Sequence, residues 1–164
     1  MRAHKHHQGF SLIELLIVVA IIGIVASIAI PSLLASRRAA NEGSAQASLR
    51  TIMSSQATYR ATVGNGAYSA TLAALNNEDL LDDVLGGGDP STKSGYNFRI
   101  VQQGGTGSTA VFGAYGFPTI TAGATKTGSR RFGVTEDGIL HGDATLLVVP
   151  NTRALIRGMP ALPK

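Results

Sequence analysis

An apolar run near the N-terminus limits this chain more than any other feature. Leu15 to Ile30 reads LLIVVAIIGIVASIAI, with no charge and only Gly23 and Ser27 as breaks. Extended back to Phe10, the run holds a single acid, Glu14. A bilayer core takes roughly 20 apolar residues in helical form, so this segment is long enough to span one. The leader ahead of it, MRAHKHHQG, is short and basic. A secretory signal segment begins the same way, and Ser27 and Ala29 offer small residues at a plausible cleavage spacing. Glu14 argues against that alternative, because an acid in the apolar region weakens insertion.

The helical pattern continues past Pro31. Ala45, Leu49, Ile52, Gln56, Tyr59 and Val63 step by four and three residues, which places them on one helix face. Arg50, Thr51, Ser54, Ser55, Thr58 and Thr62 fall on the opposite face, and Gly64-Asn65-Gly66 is a stop signal. The spacing predicts one helix from about Phe10 to Val63, kinked near Pro31 by the missing N–H and the ring clash. At 1.5 Å per residue it is roughly 80 Å long. No compact domain of this size buries such a helix. Its first half must meet lipid or other copies of itself.

The remainder is a small ordered domain, since charged residues are only 15% of the chain and hydrophobic ones 44%. Tyr68, Leu72, Leu75, Leu80, Leu81 and Val84 read as a short helix or helical turns ending at Gly86-Gly87-Gly88. Tyr96 to Ile100 alternates apolar and polar residues, as a strand does; Val111 to Phe117 and Arg131 to Val134 are further strands. Asp137-Gly138 predicts a tight hairpin into Ile139-Leu140-His141. The fold class is therefore α+β: a long N-terminal helix, with a transmembrane first half, packed on a small antiparallel sheet of about four strands. The tail from Ala144 to Lys164 either adds a strand or packs over the sheet.

Few chemistries survive this composition. The absence of cysteine excludes disulfide scaffolds, thiol catalysis and cysteine zinc sites. Aromatics are 5% with no Trp, which disfavours a nucleic-acid stacking platform. The formal charge is +4, but Arg2 and Lys5 lie in the leader, so the rest carries too little to select DNA or anionic lipid. His4, His6 and His7 sit in that same leader, which makes a metal role improbable there. His141 reads as a lone strand surface residue. Glu78, Asp79, Asp82, Asp83 and Asp89 form an acidic patch without the spacing or turn glycine of a calcium loop. Gly86 to Gly88 and Gly104 to Gly107 lack the context of a phosphate cradle, and no G-x-S-x-G elbow is present. Arg37, Arg38 and Glu42 read as a solvated face. No catalytic residue, metal or cofactor is expected.

Glu14 stands out against this background. A carboxylate inside an apolar span is costly and usually has a task. Phe10 and Glu14 lie one helical turn apart.

The stretch GFSLIELLIVVAIIGIVASIAIP, Gly9 to Pro31, resembles the N-terminus of type IV prepilins and the related pseudopilins. The likeness consists of a basic leader ending in Gly, then Phe, an apolar run, a Glu five positions after the leader and a Pro at the run's end. The segments Gly95 to Ile100, Tyr115 to Pro118 and Thr127 to Leu140 look more weakly like the sheet of cysteine-free Gram-negative pilins.

The resemblance implies that a prepilin peptidase cleaves between Gly9 and Phe10 and methylates the new amino group of Phe10. It implies that Glu14 partners that amine during assembly, within a subunit or between neighbours. It also implies that Gly23 and Pro31 mark a portion of helix that loosens in the filament. The expected organisation is a leader (1–9), a transmembrane and filament-core helix (10–30), an amphipathic helix (31–66), a globular αβ loop and sheet (67–143) and a tail (144–164). The expected partners are other copies in a helical filament, the prepilin peptidase, the pilus assembly machinery and inner-membrane lipid. The expected locations are the inner membrane as a single-pass precursor, then an extracellular pilus. The C-terminal cysteine pair of many members is missing, so hydrogen bonds and packing must hold that region. A pseudopilin of a type II secretion system is the rival within the family. A secreted or anchored binding module is the rival outside it. Electron conduction needs aromatics near the filament core, and none lies between Phe10 and Tyr59.

Overall fold

A computed structural model describes residues 9–144 and 149–163. The leader histidines His4, His6 and His7, and Leu146 to Val148 of the tail, lie outside the described residues. The chain divides into two compact units, residues 1–36 and 37–164. Helix α1 (Leu12–Thr62) contributes to both and contains Pro31 without interruption. Pro31 lacks one N–H, which leaves the Ser27 carbonyl without its usual partner but spares the neighbouring turns. In the first unit the large apolar side chains from Phe10 to Leu33 are exposed, among them Phe10 at 84% and Ile28 at 73%.

The second unit is built on the back half of α1. Ala45, Leu49, Ile52 and Gln56 are fully buried on one stripe, as the spacing predicts. The stripe is narrower at its end and wider at its side than the sequence indicates. Val63 is 45% exposed, because the chain has already turned away: Asn65 and Gly66 both adopt positive φ, and Gly64 and Gly66 donate to the Tyr59 and Arg60 carbonyls. Ser55, expected on the solvent face, is buried because its hydroxyl donates to the Leu80 carbonyl at 2.6 Å. Gln56 is tolerated in the core because its amide is satisfied twice. Nε2 donates to the Ser69 carbonyl at 3.0 Å, and Oε1 accepts from the Ser69 N–H at 2.8 Å.

Two short helices follow, α2 (Leu72–Asn76) and α3 (Asp83–Gly86), capped by the side chains of Thr71 and Asp82. The sheet has five antiparallel strands in sequential order: β1 (Ser91–Lys93), β2 (Tyr96–Gly104), β3 (Val111–Pro118), β4 (Arg131–Thr135) and β5 (Leu140–Asp143). The expectation of about four strands misses β1, a polar edge strand with no apolar residue to announce it. Tyr96, Phe98, Ile100, Phe112, Ala114, Phe132, Val134 and Leu140 form one core with the helix stripe, α2 and α3. Phe98 lies opposite Gly116, where an added Cβ would stand 2.8 Å from the ring, so the glycine makes room for the aromatic.

The outer face of the sheet is covered as well. Helix α4 (Arg153–Arg157) inserts the fully buried Ile156 over the middle strands. A Cβ at Gly133 would stand 2.7 Å from Ile156 Cγ2, so the bare backbone there is what lets α4 approach. Ile156 and Met159 join Tyr115, Val101 and Phe117 in a second cluster. Burial on both faces explains why β3 and β4 show little polar alternation. Beyond α4 the tail pairs with β5, through Gly142 N–H to the Pro160 carbonyl and Leu162 N–H to the Leu140 carbonyl. This covers an edge that would otherwise present open hydrogen-bonding groups.

His141 is not a surface residue. It is buried, and its Nδ1 donates to the Met159 carbonyl at 2.8 Å, holding the tail. Two ion pairs add to the clamp. Arg153 grips both carboxylate oxygens of Glu136, and Arg157 Nε reaches Asp137 at 3.0 Å. Burial pushes the Glu136 carboxyl up, but Arg153 together with the Glu136 and Phe112 backbone N–H groups outweighs it and holds the group below its ordinary range. Asp137 is likewise raised by burial and lowered further by Thr135, the Ile139 N–H and Arg157. A depressed carboxylate contributes stability that is complete above its unfolded value and disappears as pH falls through the folded one. Amide protection in α4, taken relative to intrinsic exchange at each pH, should therefore be steady near neutrality and fall below about pH 4, ahead of the β2–β3 core.

The second unit carries its own core, so a chain beginning at Arg37 is expected to be a soluble, cooperatively folding monomer. Circular dichroism and sedimentation check this; a molten or aggregated product would contradict it.

Candidate processing and assembly segment

The segment from Gly9 to Glu14 is where the helix begins. Ser11 accepts the first intrahelical bond, from Leu15 N–H at 3.2 Å, and so occupies the N-cap position. Glu14 stands three residues on and bends back, its Oε2 accepting the Ser11 N–H at 2.9 Å. This is one half of a capping box, and the Ser-x-x-Glu spacing was readable in the sequence. Its carboxylate also complements the positive end of the helix dipole. Glu14 Oε1 has no hydrogen-bond partner among the described residues. A carboxylate already holding the Ser11 N–H stands one residue from the nitrogen that cleavage at Gly9–Phe10 would free.

Gly9 and Phe10 are both exposed. A Cβ built on Gly9 meets nothing within 4 Å. Nothing in this fold therefore demands glycine there, and a requirement for it would come from a protein that binds the segment. Gly23 is equally unconfined, and both it and Pro31 lie within the helix. Gly9, Phe10 and Glu14 are thus brought together at one helix end; Gly23 and Pro31 lie further along the same element.

Several other polar groups singled out in the sequence have structural roles. Glu42 is buried, contrary to the solvated reading. Its Oε1 accepts the Ser129 N–H at 2.7 Å and its Oε2 accepts Arg130 Nε at 2.9 Å, while neighbouring Asn41 donates to the Thr127 carbonyl. The helix thereby fixes the loop before β4. Burial, with Glu42 close by, pushes the Tyr96 phenol far above its ordinary value, and its hydroxyl donates to the Arg130 carbonyl at 2.7 Å. In the acidic patch, Asp82 pairs with Lys93 and Asp89 with Arg99. Among the described residues no three acids or histidines converge on a metal-sized site. The glycine clusters close a helix at Gly86 and a strand at Gly104.

The prokaryotic N-terminal methylation motif matches residues 4–30, the stretch that holds this helix start and the apolar run. The chain is also 44% identical over 71 residues to the type IV wide pilus major component PilA4 of Thermus thermophilus. Both findings make the chain similar to the type IV pilins. A second pilin relative, the type IV major pilin protein PilA of Myxococcus xanthus, is 40% identical over 58 residues. These matches cover 43% and 35% of this chain, and 53% and 26% of the two relatives. The chain thus spans about half the length of the first pilin and a quarter of the second. No solved structure matches it. The α+β arrangement, a long apolar N-terminal helix with an antiparallel sheet, is consistent with a pilin fold.

Proposed function

We propose that this chain is the structural subunit of a type IV pilus filament, and not an enzyme. One observation carries the reading: the part of α1 apolar enough to cross a membrane has none of its residues buried. Side chains such as Leu12, Ile24 and Ile28 cannot remain in water, and a stretch this large marks a membrane or protein contact. Inner-membrane lipid covers them before assembly, and neighbouring copies in a helical filament cover them afterwards. A prepilin peptidase cleaves between Gly9 and Phe10 and methylates the Phe10 amine. Glu14 then pairs that amine, and Gly23 and Pro31 let the helix loosen as the pilus machinery draws the subunit out. The extracellular fibre serves attachment, motility or DNA uptake.

Deleting the gene and imaging the cells by electron microscopy tests the proposal. Loss of all fibres, restored by the native chain and with abundant subunit in sheared material, is expected. Unchanged fibres would contradict it. Processing supplies a second test. Gly9→Val should leave an uncut precursor, since a branched side chain blocks approach to the scissile carbonyl, while the open space around Gly9 leaves the fold intact. Normal shortening on an immunoblot would count against cleavage at this bond.

A further inference from the structure

Among the described residues, six ion pairs close within the second unit: Lys93–Asp82, Arg99–Asp89, Arg130–Glu42, Arg131–Asp143, Arg153–Glu136 and Arg157–Asp137. Outside these pairs in that unit stand three acids and several cations, Arg50 among them. Glu78, Asp79 and Asp83 have no cationic partner among the described residues; Asp83 accepts only from the Asn76 amide. Glu78 and Asp79 follow the end of α2, and Asp83 begins α3, which packs beside edge strand β1. Next to Asp83, Val84 is 55% exposed while Leu85 and Gly86 face inward. This edge of the domain therefore presents an exposed apolar side chain beside a carboxylate.

The opposite edge of the sheet has the complementary character. Between α1, the β4–β5 turn and the tail lies a cavity of about 120 Å³, lined by Ile139, Leu140, Leu162, Pro163, Gly138 and Arg50. Ile139 is 46% exposed, and Arg50 has no ion-pair or hydrogen-bond partner among the described residues. An apolar socket with one free guanidinium at its rim fits an apolar side chain flanked by a carboxylate.

We propose that this cavity receives α3 of a second copy of the chain, with Val84 entering beside Ile139 and Leu162 and Asp83 pairing with Arg50. Knob and socket occupy opposite edges of one sheet, beside β1 and beyond β5, so a copy cannot satisfy itself. The contact is heterologous: every copy offers both halves, and each addition leaves one of each open. Such a contact extends without closing, which is what a filament needs. The inference rests on the filament reading and deepens it, by naming which surfaces of the globular unit meet.

The chain has no cysteine, which makes a direct test simple. Val84→Cys/Ile139→Cys is made in the full chain, at two exposed positions, together with each single variant. Purified fibres are treated with a short bifunctional maleimide and resolved by denaturing electrophoresis. The double variant should give a ladder of linked subunits, and each single variant only monomer. Fibres whose subunits stay monomeric although both thiols accept a monofunctional maleimide would overturn the contact. Linking by Val84→Cys alone would also overturn it, since that requires a symmetric contact. Absence of fibres from the native chain under the same conditions would instead strike the filament reading itself.

Discussion

Glu14→Ala should leave the subunit processed and membrane-inserted but produce few or no fibres. Removing a carboxylate makes the apolar span more apolar, so insertion is undisturbed or improved. The scissile bond keeps Gly9 and Phe10. Two losses follow, and their sizes separate them. The Ser11 N–H loses its acceptor, which costs about 1 kcal/mol at a helix start and is made good by water or lipid head groups in a single copy. In a dry filament core the Phe10 amine loses its counter-charge, and a broken buried pair costs roughly 3 to 5 kcal/mol. Repeated at each subunit, the second loss dominates. Glu14→Gln distinguishes them, because it retains an acceptor for Ser11 and lacks the charge. Fibre yield should be low in both variants. Recovery in Glu14→Gln would reduce Glu14 to a capping residue, and loss of cleavage in either would move its role to the peptidase.

The largest effect on the globular unit is expected at Leu49. The residue is fully buried where α1 meets the sheet, and truncating such a leucine destabilises a domain by about 2 to 5 kcal/mol. The upper part of that range applies where neighbours cannot collapse into the space. Here α1 is tied on both sides of Leu49, by Glu42 to the loop before β4 and by Gln56 to Ser69, which limits any inward shift. Leu49→Ala in the chain beginning at Arg37 should lower the urea midpoint strongly, with Val63→Ala, at a half-exposed site, as a nearly silent control. Equal midpoints would mean that Leu49 is not in the core.

Much of this architecture was legible because its signals are local. The apolar run, the three-and-four spacing from Ala45 to Gln56, the Gly64–Gly66 stop and the alternation from Tyr96 to Ile100 each lie within a single element. The features that escaped depend on distant partners. Glu42 bonds residues 87 and 88 positions away, and a charged residue so placed reads as solvent-facing until the loop is seen. His141 is buried by a tail eighteen residues on. Strand β1 is recruited through its backbone by β2, with Ser91 opposite Phe98. Helix α4 has one buried side chain, Ile156, whose seat is an absent Cβ on another strand. At the candidate site the reverse holds: the Ser11–Glu14 cap is local and written in the Ser-x-x-Glu spacing, while an acid in an apolar span points to assembly. The cap uses one carboxylate oxygen, and the proposed pairing with the Phe10 amine would use the other.

The central claim is that this chain is cut before Phe10 and polymerises through the helix so exposed. Mass measurement of the subunit in sheared, purified fibres tests it most directly. The account predicts a chain starting at Phe10 with one added methyl group on its amine, and no precursor in the fibre fraction. A subunit found outside the cell with its N-terminus after Ala29, lacking the apolar helix, would contradict it.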